Sequence, residues 1–247
     1  MLIKLLKHDL ISMGRLLAPI MLAMLALSAV IGFNVRTQYK LENVGTITVI
    51  LFAILFALIF LAFFLTFILT IFRFRQNLLG NQGYLSFALP VSTAEHIAGK
   101  FLASMIWTCV NGIVAVISFW LIYTVGIPAA GRQLGAVFFK RLFPDFDPYA
   151  YLTLENFLLL VTSMSEGVLH MYLAIAIGHL WQKHAILGAI LGYVLLSIAR
   201  SQLFTRLLQP MSLQMPFATF SIISALVFSA IYAVCTWLIL DRHLNLE

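Results

Sequence analysis

The stretch "NVGTITVILFAILFALIFLAFFLTFILTIF", residues 43–72, carries no Asp, Glu, Lys or Arg, and Glu42 and Arg73 bound it. At a rise of about 1.5 Å per residue a helix of this length reaches about 45 Å, while the hydrocarbon core of a bilayer is about 30 Å thick and takes about 20 helical residues. The run therefore reads as a transmembrane span, residues 44–72, long enough to tilt or to protrude. Composition agrees: the 247 residues are 62% hydrophobic and 10% charged, where soluble domains carry about 25% charge.

The same pattern recurs on both sides of this run. A first span is expected over residues 16–33, with Pro19 near its start, where a missing backbone donor costs least. A third falls within residues 101–131, a fourth covers 157–180, a short fifth lies between Lys183 and Arg200, and a sixth covers 218–240. Pro144 and Pro148 argue for a folded-back loop before the fourth span. The short fifth run, followed by Pro210 and Pro216, suggests a discontinuous or re-entrant element. The expected fold is an all-α polytopic membrane protein, a single domain over residues 1–247 with six transmembrane helices and both termini on one side.

Ahead of the first span, Lys4, Lys7, His8 and Arg15 fall on one side of a helix and Leu2, Leu6, Leu10 and Met13 on the other. Residues 1–15 are thus expected to form an interfacial helix, with Asp9 intruding on its apolar side. The apolar run from Arg15 to Arg36 exceeds the about 7–15 residues of a signal-peptide core, so this segment is expected to be retained.

Several function classes are disfavoured. The net charge of +6 comes from basic residues scattered beside apolar segments, which fits anionic lipid headgroups and not a nucleic-acid footprint. Lys and Arg divide almost evenly between the two sides, so charge alone does not orient the chain. Cys109 and Cys235 lie inside apolar runs without metal-ligand spacing and read as small buried hydrophobes. No G-x-x-x-x-G-K-[ST] phosphate loop occurs, so no ATP cofactor is expected on this chain, and any energy from ATP must enter through a partner.

Between spans two and three lies "RFRQNLLGNQGYLSFALPVS", residues 73–92. Antiparallel helices need only about 2–8 residues to be joined, so the length calls for a reason. Gly80 and Gly83 break the helix, Pro90 prevents its continuation, and Ser92 with Glu95 forms a capping-box pattern that restarts it. The run "GYLSFALPVS", residues 83–92, together with "YLAIAIGHLWQKHAILGAILGY", residues 172–193, resembles the permease subunits of ATP-binding-cassette exporters of the second type. The "GYLxxxLPVS" core is matched by Gly83, Tyr84, Leu85, Leu89, Pro90, Val91 and Ser92; Gln82 stands where relatives often carry an acid.

The resemblance implies that residues 73–92 hold a cytoplasmic coupling helix that docks on a separate ATPase, where ATP and Mg are bound. The contact residues it implies are Gln76, Asn77, Leu78, Leu79, Gly80, Asn81, Gln82, Gly83, Tyr84, Leu85 and Leu89. It also implies a second permease subunit, most simply a copy of this chain, both termini in the cytoplasm, and a hydrophobic or amphipathic cargo such as a modulin-like peptide.

Other residues could carry chemistry. Glu166 and His170 share one face of the fourth span, and intramembrane ionisable groups mark either a pathway or an internal pair. A hydrogen bond between the two is the simpler expectation; a membrane-embedded enzyme or ion carrier using them is the alternative function. A third reading is a scaffold that holds an ATPase at the membrane without transporting anything. Phe52, Phe56, Phe60, Phe63 and Phe67 make a stripe on the second span, either a lipid face or a route for cargo. Gly188 and Gly192 permit close helix approach, expected mainly within the subunit.

Overall fold

In the computed structural model the described residues are 2–39, 45–79, 92–126, 153–181, 184–208 and 216–242. Among them there is no strand, and six helices are long and apolar enough to cross a membrane. These are α1 (Leu2–Tyr39), α2 (Thr46–Phe74), α3 (Thr93–Gly126), α4 (Leu154–His179), α5 (Ala185–Leu203) and α6 (Phe217–Arg242). The chain is an all-α, multi-pass membrane protein. The expected loop around Pro144 and Pro148, and the break around Pro210, lie outside the described residues.

Three expectations are revised. Residues 2–15 are not a separate helix, because α1 runs through Arg15 without interruption. Pro19 accordingly sits in the interior of α1 and not at a first turn. The fifth span is not short: its apolar helix runs over Ala185–Arg206, so Arg200 lies within the span instead of ending it.

The helices contribute to two compact units, one drawn from Met1–Asp9, Leu69–Met105 and Tyr149–Glu247, the other from Leu10–Ile68 and Ile106–Pro148. In the first, α4 is central, packed on one side by α5 and on another by α6. Its core gathers Leu169, Tyr172 and Leu173 of α4, Phe228 and Tyr232 of α6, Ile97 of α3, and Phe74 and Leu78 at the end of the second span. Small residues set the α4–α5 approach. A Cβ added at Gly178 would collide with the Ala189 nitrogen, and one at Gly188 would lie 3.0 Å from the Gly178 Cα. The Gly188 and Gly192 face is thus used inside the chain, as close packing of glycine-bearing helices allows.

In the second unit Met24, Ile31, Leu55, Ala62 and Ile122 form the core. Thr48 Oγ1 donates to Asn34 Oδ1 at 2.8 Å and Gly45 N to Gln38 Oε1 at 2.9 Å, which ties the start of α2 to the end of α1. Asn111 Nδ2 donates to Thr66 Oγ1 at 2.7 Å, linking α3 to α2. The pairing satisfies polar groups where acyl chains offer no partner.

Candidate functional site

The first unit contains both ends of the insert between spans two and three. α2 passes into one π-helical turn, Arg75–Leu79, before the described chain stops. Within that turn Leu78 is buried in the core beside Phe74, while Arg75 and Gln76 are exposed. Leu78, which the resemblance implies as a contact residue, has its side chain enclosed in this core. The chain is described again from Ser92, where the expected capping box is present: Glu95 N donates to Ser92 Oγ at 3.3 Å, and Ser92 N to Glu95 Oε2 at 3.1 Å. This reciprocal pair satisfies amides that a helix start leaves without partners. One turn on, Ile97 enters the same core as Leu78.

Asn77 and Leu79 take part in the π-helical turn by their backbone, and their side chains lie outside the described part. Gly80, Asn81, Gln82, Gly83, Tyr84, Leu85 and Leu89 also lie outside the described residues.

Charges fasten the same two ends. Asp9, 3% exposed, accepts from Arg73 Nη1 at 3.3 Å and from Lys100 Nζ at 3.4 Å, and Lys100 is itself 6% exposed. Beside this cluster a buried chain of hydroxyls joins three helices: Thr70 Oγ1 donates to Ser104 Oγ at 3.1 Å, which is 3.2 Å from Tyr172 Oη. The Tyr172 ring stacks on Phe74 with centroids 4.0 Å apart. Asp9 was visible in the sequence as the one intruder on the apolar side of its helix. An acid there is costly unless cations meet it, and that was the signal available for the cluster.

Glu166 and His170 are both buried on α4, but they do not pair with each other. Glu166 receives Arg200 in a two-pronged contact, Nε to Oε1 and Nη2 to Oε2, the latter at 2.8 Å. The expected Glu166–His170 hydrogen bond is thus replaced by an ion pair between α4 and α5. The fork of the guanidinium matches the two carboxylate oxygens, as no single imidazole nitrogen can. His170 Nε2 instead lies 3.3 Å from the Tyr193 carbonyl oxygen and 3.4 Å from Ser197 Oγ, both on α5. Its ring packs edge-on against Tyr232 at 5.1 Å, and the Arg200 guanidinium lies 5.6 Å from the Phe228 ring centroid.

Both α4 groups therefore hold α5 in place. Sequence spacing does not single out Arg200 as a site residue, because there it reads as the boundary of a short span. A carboxylate in the neighbouring span was the clue that it belonged inside. The buried Ser229 Oγ and Tyr232 Oη on α6 have no hydrogen-bond partner among the described residues. A shallow open groove of about 400 Å³ runs along α5, lined by Tyr193, Val194, Ser197, Ile198, Ser201 and Gln202.

The phenylalanine stripe lies on the outside of α2. Phe56, Phe60 and Phe67 are exposed, Phe60 to 71%, whereas Phe52 and Phe63 are half-buried. Phe60 stacks on its neighbour Phe64, and Phe56 meets Phe119 of α3 at 5.9 Å. Cys109 and Cys235 are free and half-buried. Among the described residues no group of three His, Cys, Asp or Glu side chains is placed to hold a metal ion. Comparison with protein-family models, with curated proteins and with solved structures finds no match.

Proposed function

We propose that this chain is the membrane-spanning permease subunit of an ATP-binding-cassette exporter in the cell membrane, its termini cytoplasmic, driven by a separate ATPase that binds ATP and Mg. It pairs with a second permease subunit, taken here as a copy of itself, and moves a hydrophobic or amphipathic substrate such as a peptide. The observation that carries this reading is the anchoring of the insert. Leu78 before it and Ile97 after it are buried in one core with α4 and α6. A segment held at both ends in this way can pass a push from outside the membrane to the helices as rigid-body motion, whereas a slack connector absorbs it. The sequence resemblance of residues 83–92 names the kind of motor.

Co-expression with candidate ABC ATPases and purification in mild detergent tests the assignment. Since Leu78 belongs to the core, the informative change is confined to residues 80–85, replaced by Gly and Ser. The reading expects a stable complex with the unaltered chain, loss of that complex on replacement, and ATP-dependent movement of labelled amphipathic peptide into vesicles. A complex without any cargo movement marks a scaffold. If Glu166→Gln abolishes activity and the loop replacement has no effect, the chain is an enzyme or ion carrier. The two-pronged Arg200 contact argues against that alternative, because it already occupies both oxygens of Glu166.

A further inference from the structure

The insert is not the only segment held at this point. Among residues 3–9 of α1, Asp9 alone is buried; Leu5 and Leu6 are half-buried and the rest exposed. Its two carboxylate oxygens go to different helices. Oδ1 meets Arg73 at the end of α2, and Oδ2 meets Lys100 near the start of α3. These are the cations on either side of the insert. A single carboxylate shared between them sets the separation of the insert's two ends and attaches both to the first turns of α1. Buried as it is, the attachment is screened little by salt.

We propose that Asp9 is a positioning residue that joins α1 to the insert, so that displacement of residues 80–91 is delivered to the first span as well as to the second and third. This rests on the permease reading above. Arg73 and Lys100 are the other two members of the joint. The N-terminal turns, amphipathic and mostly exposed, then act as a third leg of the moving part and not as a passive float on the membrane surface.

The test uses the full chain, with Cys109 and Cys235 replaced by alanine, in nanodiscs with its ABC ATPase. Spin labels at Ile3, Phe72 and Trp181, all exposed, report two distances by pulsed electron resonance. The expected result is a narrow Ile3–Phe72 distribution that does not change with nucleotide, and an Ile3–Trp181 distance that shifts when ATP is bound. Asp9→Asn broadens the first and abolishes the shift in the second while the ATPase still binds, and Asp9→Glu restores both. Arg73→Gln leaves a neutral Asp9–Lys100 pair, so it folds even where Asp9→Asn does not, and it too abolishes the shift. If these variants retain the shift of the unaltered chain, the role of Asp9 is overturned and the permease reading stands. If an ATPase binds but nucleotide never moves Ile3, transmission to α1 is overturned. If no ATPase binds, the permease reading fails and this inference fails with it.

Discussion

Replacing Arg200 by leucine tests the α4–α5 joint, and the two partners' unequal burial gives the result a direction. The Glu166 side chain is 7% exposed and that of Arg200 38%. Removing the arginine strands a buried carboxylate, and breaking a buried pair from one side costs about 3–5 kcal/mol. Glu166→Gln keeps a side-chain oxygen that still accepts from the guanidinium, so the arginine is left charged but hydrogen-bonded. The loss is then nearer the low end for a charge-assisted hydrogen bond, about 1.5 kcal/mol. Replacing both by leucine removes the pair and its desolvation together and should cost less than about 1 kcal/mol.

At about 2–4 °C per kcal/mol for a chain of this size, Arg200→Leu lowers the unfolding midpoint by about 6–20 °C and Glu166→Gln by about 3–6 °C. Heating the purified protein in mild detergent and reading the surviving monodisperse fraction by fluorescence-detected size exclusion measures all three. Equal losses for the two single variants would refute the direction drawn from their unequal burial, and a double variant as damaged as their sum would mean that the two side chains act independently.

Two buried tyrosines should respond differently to loss of the hydroxyl. Tyr172→Phe gives up the bond to Ser104 and costs about 1 kcal/mol, while Tyr232→Phe removes a buried hydroxyl without a hydrogen-bond partner among the described residues and leaves the midpoint unchanged or raised. Gly178→Ala drives a Cβ into the α5 backbone, where no flexible side chain can yield, and should destabilise by about 1–3 kcal/mol in the same assay. Ser92→Ala removes the cap of α3 at a cost of about 1 kcal/mol, and hydrogen exchange at the first turn of α3 should rise while that of α4 does not. Phe60→Ala leaves stability within about 0.5 kcal/mol, since that ring is mostly exposed; a larger loss means the ring is packed.

The spans were legible because their signal is local. Thirty uncharged residues can be counted without knowing what they touch, and the Ser92–Glu95 cap is a pattern closed within one turn. The lengths of α1 and α5 differ from that local reading for a related reason. Arg15 and Arg200 read as span ends on the rule that charge belongs outside, yet α1 carries Arg15 without a break, and the fifth helix continues past Arg200, which Glu166 pairs. A helix boundary thus depended on a residue in another helix, which no window of sequence contains.

The site follows the same logic at closer range. Glu166 and His170 are neighbours on one face, and sequence spacing alone pairs them. In the folded chain Arg200 offers a better-shaped and permanently charged partner, and the imidazole turns to a carbonyl and a hydroxyl of α5 instead. Asp9 is the converse case: it had no candidate partner on its own helix face, and that was the information. An ionisable group that is wrong for its helix implies a cation arriving from elsewhere, and the two that arrive, Arg73 and Lys100, flank the insert whose length first called for explanation. The anomaly in the first helix and the anomaly between the second and third are therefore two views of one joint. Under the permease reading proposed above, that is why Asp9, and not a residue of the insert itself, is where a change should separate ATPase binding from movement of the helices.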